Sequence, residues 1–226
     1  MFEEAHVLIR LSYNLSPSFP ASDNLLLEQR KYVAGASVLN LFAVHLAIDH
    51  QGTHLDSPYH FYEQGKRIID FPVDGYFFDH PLVVDVPKND AELVTVADLT
   101  PCADKIAGCD LLLLRTGFSR YRLSDWSRYA RSNPGVSGDA ARYLMENFRS
   151  IRAVGLDTVS LEYEGNHEHG FPAHHAFLSN LDHPMLIIED VNLDFDLSGL
   201  ARVMALPLYV EEVGGFPCTV VAELAG

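Results

Sequence analysis

Three imidazoles and a carboxylate fall within eleven residues of this chain: His50-Gln51-Gly52-Thr53-His54-Leu55-Asp56-Ser57-Pro58-Tyr59-His60. Imidazole nitrogen and carboxylate oxygen are the donors that borderline divalent ions such as Zn²⁺ and Mn²⁺ accept. His50, His54 and Asp56 share one parity, so in an extended chain they face the same way. At ~3.3 Å per residue, positions 50 and 54 would lie ~13 Å apart. Each imidazole holds its ion at ~2.0–2.1 Å, so the chain must shorten between them. Gly52 is where it does so most easily, and Pro58 then fixes the backbone ahead of Tyr59 and His60. The stretch reads as a strand end coiling into a ligand loop, with His50, His54 and Asp56 as metal ligands. His60 titrates near neutrality and suits a general acid/base; ligation and a scaffold role are the alternatives for it.

Three protein ligands with an open fourth position describe a catalytic metal site. A divalent ion so held brings the pKa of its water toward ~7 and polarises a carbonyl. The expected reaction is hydrolysis of an amide or ester bond (a formamide, lactam or lactone) by metal-bound hydroxide, with His60 passing a proton to the departing atom. Phe19, Tyr59 and Phe61 are candidates to hold a planar substrate ring, with Tyr62 and Trp126 nearby in type. The competing reading is a metal-stabilised binding protein with a closed coordination sphere.

The pattern H-x-G-T-H-x-D-x-P-x-H resembles the signature of the metal-dependent cyclase family, which includes bacterial kynurenine formamidase and isatin hydrolase. Weaker echoes run along the chain: Leu15-Ser16-Pro17, Leu114-Arg115-Thr116-Gly117, Asp157-Thr158-Val159-Ser160, Phe171-Pro172-Ala173-His174, the Glu189 that closes an apolar run, and Ala205-Leu206-Pro207-Leu208. The resemblance implies a swivelling β/β/α fold, an α/β architecture of mixed sheets with few helices. It implies His60 as the acid/base, His174 as a ligand of a second ion, and Glu189 as the bridge between two ions. One or two ions, Zn²⁺ or Mn²⁺, are expected, in a homodimer or homotetramer. The family's opening loop often carries a tryptophan that in kynurenine formamidases lies near the substrate. Here Phe19 and Ser22 occupy that region. The departure favours another aromatic or cyclic amide over N-formylkynurenine, whose arylformamidase is the alternative activity.

The elements that must position these groups are legible in part. Val7–Leu11, Pro81–Val86, Asp110–Leu114 and Ala153–Asp157 read as strands, and Met185–Asp190 as a buried strand closing on acids. Ala205–Val210 and Cys218–Leu224 read as strands about a turn at Glu211–Gly215. The run Ser37–Asp49 is apolar almost throughout and predicts a strand buried on both faces, with His45 a core histidine facing away from the metal. Asp23–Lys31 reads as a short helix or lid. Thr100 and Pro101 predict a helix entry, and Glu162–Gly170 a polar loop. Ala141, Leu144, Met145 and Phe148 form one apolar stripe on a helix that Ser137 caps. Its flanking strands should run parallel with a right-handed crossover. Arg115 and Thr116 sit at a strand end, as ordinary strand-end residues or pocket-edge contacts. Tyr121, Trp126 and Tyr129 line a wall or meet a second subunit.

Composition sets the outer bounds. The 226 residues carry 16 bases against 31 acids, a formal charge of −15, which repels nucleic acid and anionic membrane. Hydrophobic residues at 48% and charged ones at 21% are those of a globular chain, and the whole length reads as one domain. Three cysteines without a C-x-x-C pair point to a reducing cytoplasm rather than a disulfide framework. No secretory leader is recognisable at the N-terminus.

Overall fold

A computed structural model describes residues 7–17, 25–162 and 167–226, with the backbone alone at 167–170. Its strands in chain order are β1 (Val7–Arg10), β2 (Leu25–Ala34), β3 (Ser37–Leu46), β4 (His54–Asp56), β5 (Phe77–Phe78), β6 (Pro81–Asp85), β7 (Leu93–Val94), β8 (Leu111–Arg115), β9 (Gly135–Val136), β10 (Ala153–Leu156), β11 (Leu186–Glu189), β12 (Leu200–Pro207) and β13 (Gly215–Leu224). Helices are α1 (Val96–Leu99), α2 (Ala103–Ile106), α3 (Trp126–Arg131), α4 (Gly138–Asn147) and α5 (His167–Leu178).

Nine strands form one mixed sheet in the order β5-β12-β13-β4-β11-β10-β8-β6, with β1 also paired to β13. The β6, β8, β10 and β11 section is parallel, and everything from β11 across β4 to β12 and β5 is antiparallel. The sheet curls until β12 also touches β6. Leu111 to Leu114 are all fully buried, because alternate side chains enter different cores. Leu112 and Leu114 meet Leu144, Ala173 and Phe177 under the helices. Leu111 and Leu113 meet Leu55, Phe78, Val203 and Val220 inside the curl. A parallel section covered on both faces takes such an unbroken apolar run.

The crossover is as expected. Ala153 pairs with Leu111 in a parallel ladder, and α4 lies between the two strands in sequence. Ser137 caps α4 by accepting from the Ala140 amide. Ala141, Leu144 and Met145 are buried on it, and Phe148 closes it from the C-cap position. Helix α5 then packs on α4.

Five local expectations are corrected. Leu25 onward is strand β2, not helix or lid, because ten residue pairs ladder with β3. That β2–β3 ribbon pairs with no other strand among the described residues, so β3 is exposed rather than buried. His45 is therefore no core residue: its side chain is 55% exposed, with Nε2 3.8 Å from a Glu28 carboxylate oxygen. The helix entry lies one turn before Thr100, where Thr95 and Asp98 form a capping box for α1; Thr100-Pro101-Cys102 continues as a 3₁₀ turn. The segment read as a polar loop becomes helical from His167, and 163–166 lie outside the described residues.

Candidate metal centre and active site

Strand β4 supplies the floor of the site. His54, Leu55 and Asp56 pair with Glu189, Ile188 and Ile187 of β11 on one side, and with Pro217, Phe216 and Gly215 of β13 on the other. Directly opposed residues share a face, so Glu189 arrives beside His54, with 3.2 Å from Nε2 to Oε2. Asp56 shares that face by the period of two, its Oδ1 3.6 Å from His54 Nε2. Just ahead of the strand the chain turns at Gly52, φ +65°. Few residues other than glycine adopt that conformation readily. The turn brings His50 Nε2 to 3.0 Å from Asp56 Oδ1. Helix α5 adds His174, whose Nε2 is 3.4 Å from Glu189 Oε1. The short 3₁₀ turn at Pro58–His60 places the His60 ring 4.0 Å from that of His50 and 6.1 Å from that of His174.

All six residues singled out by sequence thus meet, with one refinement. Donor atoms of five of them gather in two overlapping sets, His50-Asp56-His60 and His54-Asp56-Glu189, and His174 stands beside the second through Glu189. Asp56 is common to both, so it occupies the hinge position between His50 and His54.

Neighbouring groups aim these donors. His54 Nδ1 lies 2.8 Å from the Gly52 carbonyl, and His50 Nδ1 2.7 Å from Asp49 Oδ1. Each partner accepts a hydrogen bond from Nδ1–H when the ring is a ligand, which turns Nε2 to the site. Glu189 Oε1 accepts from the Leu161 amide at 2.7 Å and from Ser160 Oγ at 3.0 Å, leaving Oε2 to face His54. Gly215 is the remaining device. A Cβ there would strike His50 Nε2 and sit 2.8 Å from Asp56 Oδ1.

The donor set fits a cation. His50 Nε2, His54 Nε2 and both Asp56 carboxylate oxygens are buried without a hydrogen-bond partner. One such orphaned acceptor is costly; several facing one space are ligands for a positive charge. The electrostatics agree. Burial opposes a charge on His54, yet Asp56 and Glu189 raise it to about 10. Burial likewise opposes His50, which Asp56 nevertheless holds above the usual imidazole value. Against burial, His54 and His50 depress Asp56, and His174 and His54 hold Glu189 well below the carboxylate range. His60 is lowered by burial and by the neighbouring imidazoles of His50 and His174, against the pull of Asp56.

A model of the family described as putative cyclase matches residues 9–163. The chain belongs to that family. A kynurenine formamidase from Bacillus thuringiensis is 29% identical over 180 residues, covering 74% of this chain and 73% of that protein. A protein of Haemophilus influenzae described only as uncharacterized is 36% identical over 109 residues, covering 48% and 76%. Among solved structures, isatin hydrolase A from Labrenzia aggregata superposes with a TM-score of 0.76 at 21% identity, over 98% of this chain and 94% of that one. A potential metal-dependent hydrolase with cyclase activity gives 0.71 at 20% identity, over 98% and 100%. These structural likenesses establish the cyclase-like fold expected from sequence.

The family match ends before His174 and Glu189, so in this cyclase those two positions rest on geometry. They and the motif residues line a cavity of about 630 Å³ whose apolar walls include Phe61, Val159 and Phe171. Phe61 stacks on His174 at 5.0 Å with rings 6° from parallel. Tyr59 is not among the lining residues; Arg67 lies over its ring instead, because the 3₁₀ turn points it away. Phe19 and Ser22 lie outside the described residues. Arg115 pairs with Asp85 and Thr116 binds Asp157, so both are strand-end supports. His175 takes a hydrogen bond with Tyr62 Oη at 2.7 Å. Asp49, Ser160 and Gly215 escaped the sequence reading. Asp49 carried a signal as a carboxylate adjacent to a candidate ligand, and Ser160 one as the end of the Asp157–Ser160 echo; Gly215 acts across the fold.

Proposed function

We propose that this cyclase is a divalent-metal-dependent hydrolase that cleaves the C–N bond of a small aromatic or cyclic amide, a formamide or a lactam. The observation that carries the reading is the set of orphaned buried donors at the floor of a cavity with aromatic walls. The names of the relatives support it: kynurenine formamidase and isatin hydrolase both act on amides of aromatic compounds. His50, His54, Asp56, Glu189 and His174 would hold one or two ions, Zn²⁺ or Mn²⁺. When bound, such an ion supplies Lewis acidity and a water made acidic enough to ionise near neutrality.

The chain's own residues do the rest. Phe61 and Phe171, 5.7 Å apart at their ring centroids, receive the planar part of the substrate and exclude water from that side. His60 takes a proton from the attacking water and passes it to the departing nitrogen, so that the C–N bond breaks to give a carboxylic acid and a neutral amine. Glu189, fixed by the Leu161 amide and Ser160 Oγ, and Asp56, whose oxygens are free to ligate, are already in place at the cavity floor and require no rearrangement during the reaction. An ester of similar shape presents the same carbonyl and is the natural side activity.

The test is a substrate panel of N-formylkynurenine, isatin and an aryl ester, offered to protein loaded with Zn²⁺ or Mn²⁺ and to chelator-stripped protein. Hydrolysis of an amide by the loaded form alone is expected, with N-formylkynurenine as the substrate of the arylformamidase alternative. A loaded protein that turns over none of the panel, and whose ion has no exchangeable water, is the metal-stabilised binding protein instead. We propose that the reaction runs in the cytoplasm, a reducing setting that suits three free cysteines.

A further inference from the structure

Glu189 ends strand β11, and the residue after it is held more firmly than any ligand. Asp190 has φ +55°, a left-handed conformation that side chains with a Cβ seldom adopt and that aspartate and asparagine tolerate best. Its amide donates to the Thr158 carbonyl at 2.8 Å. Its carboxylate is buried and accepts two parallel bonds from Arg122, Nε to Oδ1 and Nη2 to Oδ2, each 2.6 Å. Tyr129 Oη donates a third, also 2.6 Å. Tyr129, read in sequence as a wall or subunit contact, is therefore turned inward to this clamp. The Tyr13 ring covers the guanidinium, 3.8 Å from its centroid. The turn that presents Arg122 is fixed in its own right, because the Asp157 carboxylate accepts the Thr116 and Gly117 amides at 2.8 Å each.

A buried ion pair is weak evidence of stability, since desolvation of two charges offsets their attraction. What it does impose is direction, because a planar guanidinium meets a carboxylate edge to edge. The object held in direction here is a backbone turn that touches the metal centre twice. On one side the Asp190 peptide follows Glu189 directly. On the other, the Asp190 carbonyl accepts from Thr53 Oγ1 at 2.6 Å, and Thr53 stands between the Gly52 turn and His54. The Tyr13 amide donates to the same Thr53 oxygen at 2.9 Å. Arg122, Tyr129, Asp190 and Thr53 are not among the residues that line the cavity of His60 and Phe61, so none of them meets a substrate there.

We propose that Asp190, clamped by Arg122, is a positioning residue of the metal centre: its backbone sets Glu189, and through Thr53 it sets His54, so both side chains reach the ion from fixed directions. The proposal rests on the reading of His50, His54, Asp56 and Glu189 as a metal site.

The experiment titrates chelator-stripped, full-length protein with Co²⁺. It reads the dissociation constant and the visible absorption of the bound ion, which follows ligand geometry. Asp190→Asn removes the charge and keeps a residue that tolerates the left-handed turn. Arg122→Lys keeps the charge and loses the fork. Thr53→Val removes the hydroxyl without disturbing the buried charges, so it decides the matter if the charge variants do not fold; Thr53→Ser restores the hydroxyl. Asp98→Asn is the control for general loosening, since its ion pair with Lys88 shares no partner with the site. Circular dichroism verifies that each variant is folded. The expected result is a dissociation constant raised about 10–100-fold, with altered absorption, in Asp190→Asn, Arg122→Lys and Thr53→Val. Thr53→Ser and Asp98→Asn should match the natural chain. Unchanged affinity and absorption in folded Asp190→Asn or folded Thr53→Val overturns the proposal and leaves the metal reading standing. An equal loss in Asp98→Asn, or a Thr53→Ser as weak as Thr53→Val, overturns it too. A natural chain that binds no Co²⁺ overturns the metal reading itself, and the proposal with it.

Discussion

At the scale of single residues the site is decided by what sits beside the ligands. Gly215 has no side chain because His50 Nε2 and Asp56 Oδ1 fill the space a Cβ would take. Gly215→Ala is expected to leave the fold in place and lower metal affinity about 10–100-fold, the usual cost of disturbing the groups around a ligand. Isothermal titration of stripped protein with Zn²⁺ measures it, and an unchanged affinity removes Gly215 from the site. His60→Ala separates the two roles open to that ring. As acid/base, its loss keeps the metal content and slows turnover roughly 10²–10⁴-fold; as a ligand, its loss lowers the metal content measured by elemental analysis. The candidate ligands and acid/base were legible because five of the candidate positions lie within a short motif or end an apolar run. Tyr59 was not, since its direction depends on the 3₁₀ turn at Pro58–His60. Ser160 reaches Glu189 from the loop after β10, and Gly215 reaches His50 and Asp56 from β13, far along the chain, relations that no local pattern displays.

At the scale of elements, local chemistry was read well where it competes with nothing. Ser137 caps α4 as its sequence announces. Thr100-Pro101 misled because a stronger signal lies just before it. Thr95 and Asp98 form a capping box, and Lys88 Nζ adds an ion pair to Asp98 at 2.8 Å. Burial is the largest single effect and opposes the Asp98 charge, but the bonds from Lys88 and Thr95 together outweigh it and depress its pKa. The sign follows from linkage. A carboxylate with a depressed folded-state pKa stabilises the protein above its unfolded value of ~3.9, and that contribution disappears as pH falls through the folded value. Asp98→Asn should therefore cost about 0.5–1 kcal/mol at pH 7, and the difference from the natural chain should vanish below about pH 3. Urea unfolding at stepped pH reads both; a gap that persists in acid assigns the loss to packing. The β2–β3 ribbon misled for another reason. Apolar content does not say which sheet a strand joins, and among the described residues β3 joins only β2.

At the scale of the whole molecule, the fold class was readable because alternation and strand order suffice for it. The Leu111–Leu114 and Ala153–Leu156 strands run parallel as their crossover requires. What the sequence could not display is that the metal site is also a tie between distant parts. The loop at His50, strand β4, helix α5 and strand β11 each bring at least one donor, and β13 closes the cradle from the other side of β4. In the stripped protein these segments hold like-charged carboxylates and orphaned acceptors together with only imidazole protons to offset them. An ion therefore binds the folded chain and not the unfolded one, and adds RT ln(1 + [L]/Kd) to stability, about 2.7 kcal/mol at a hundredfold excess over Kd. For a chain of this length 1 kcal/mol moves the melting temperature by about 2–4 °C. Chelation should lower it by about 5–10 °C, and restored Zn²⁺ or Mn²⁺ should recover it. Differential scanning calorimetry with and without chelator, repeated on Asp56→Ala, closes the test. The variant should melt at one temperature in both conditions, since Asp56 is the donor that both ligand sets share. A chelator shift that survives Asp56→Ala would move the ion to another part of the molecule.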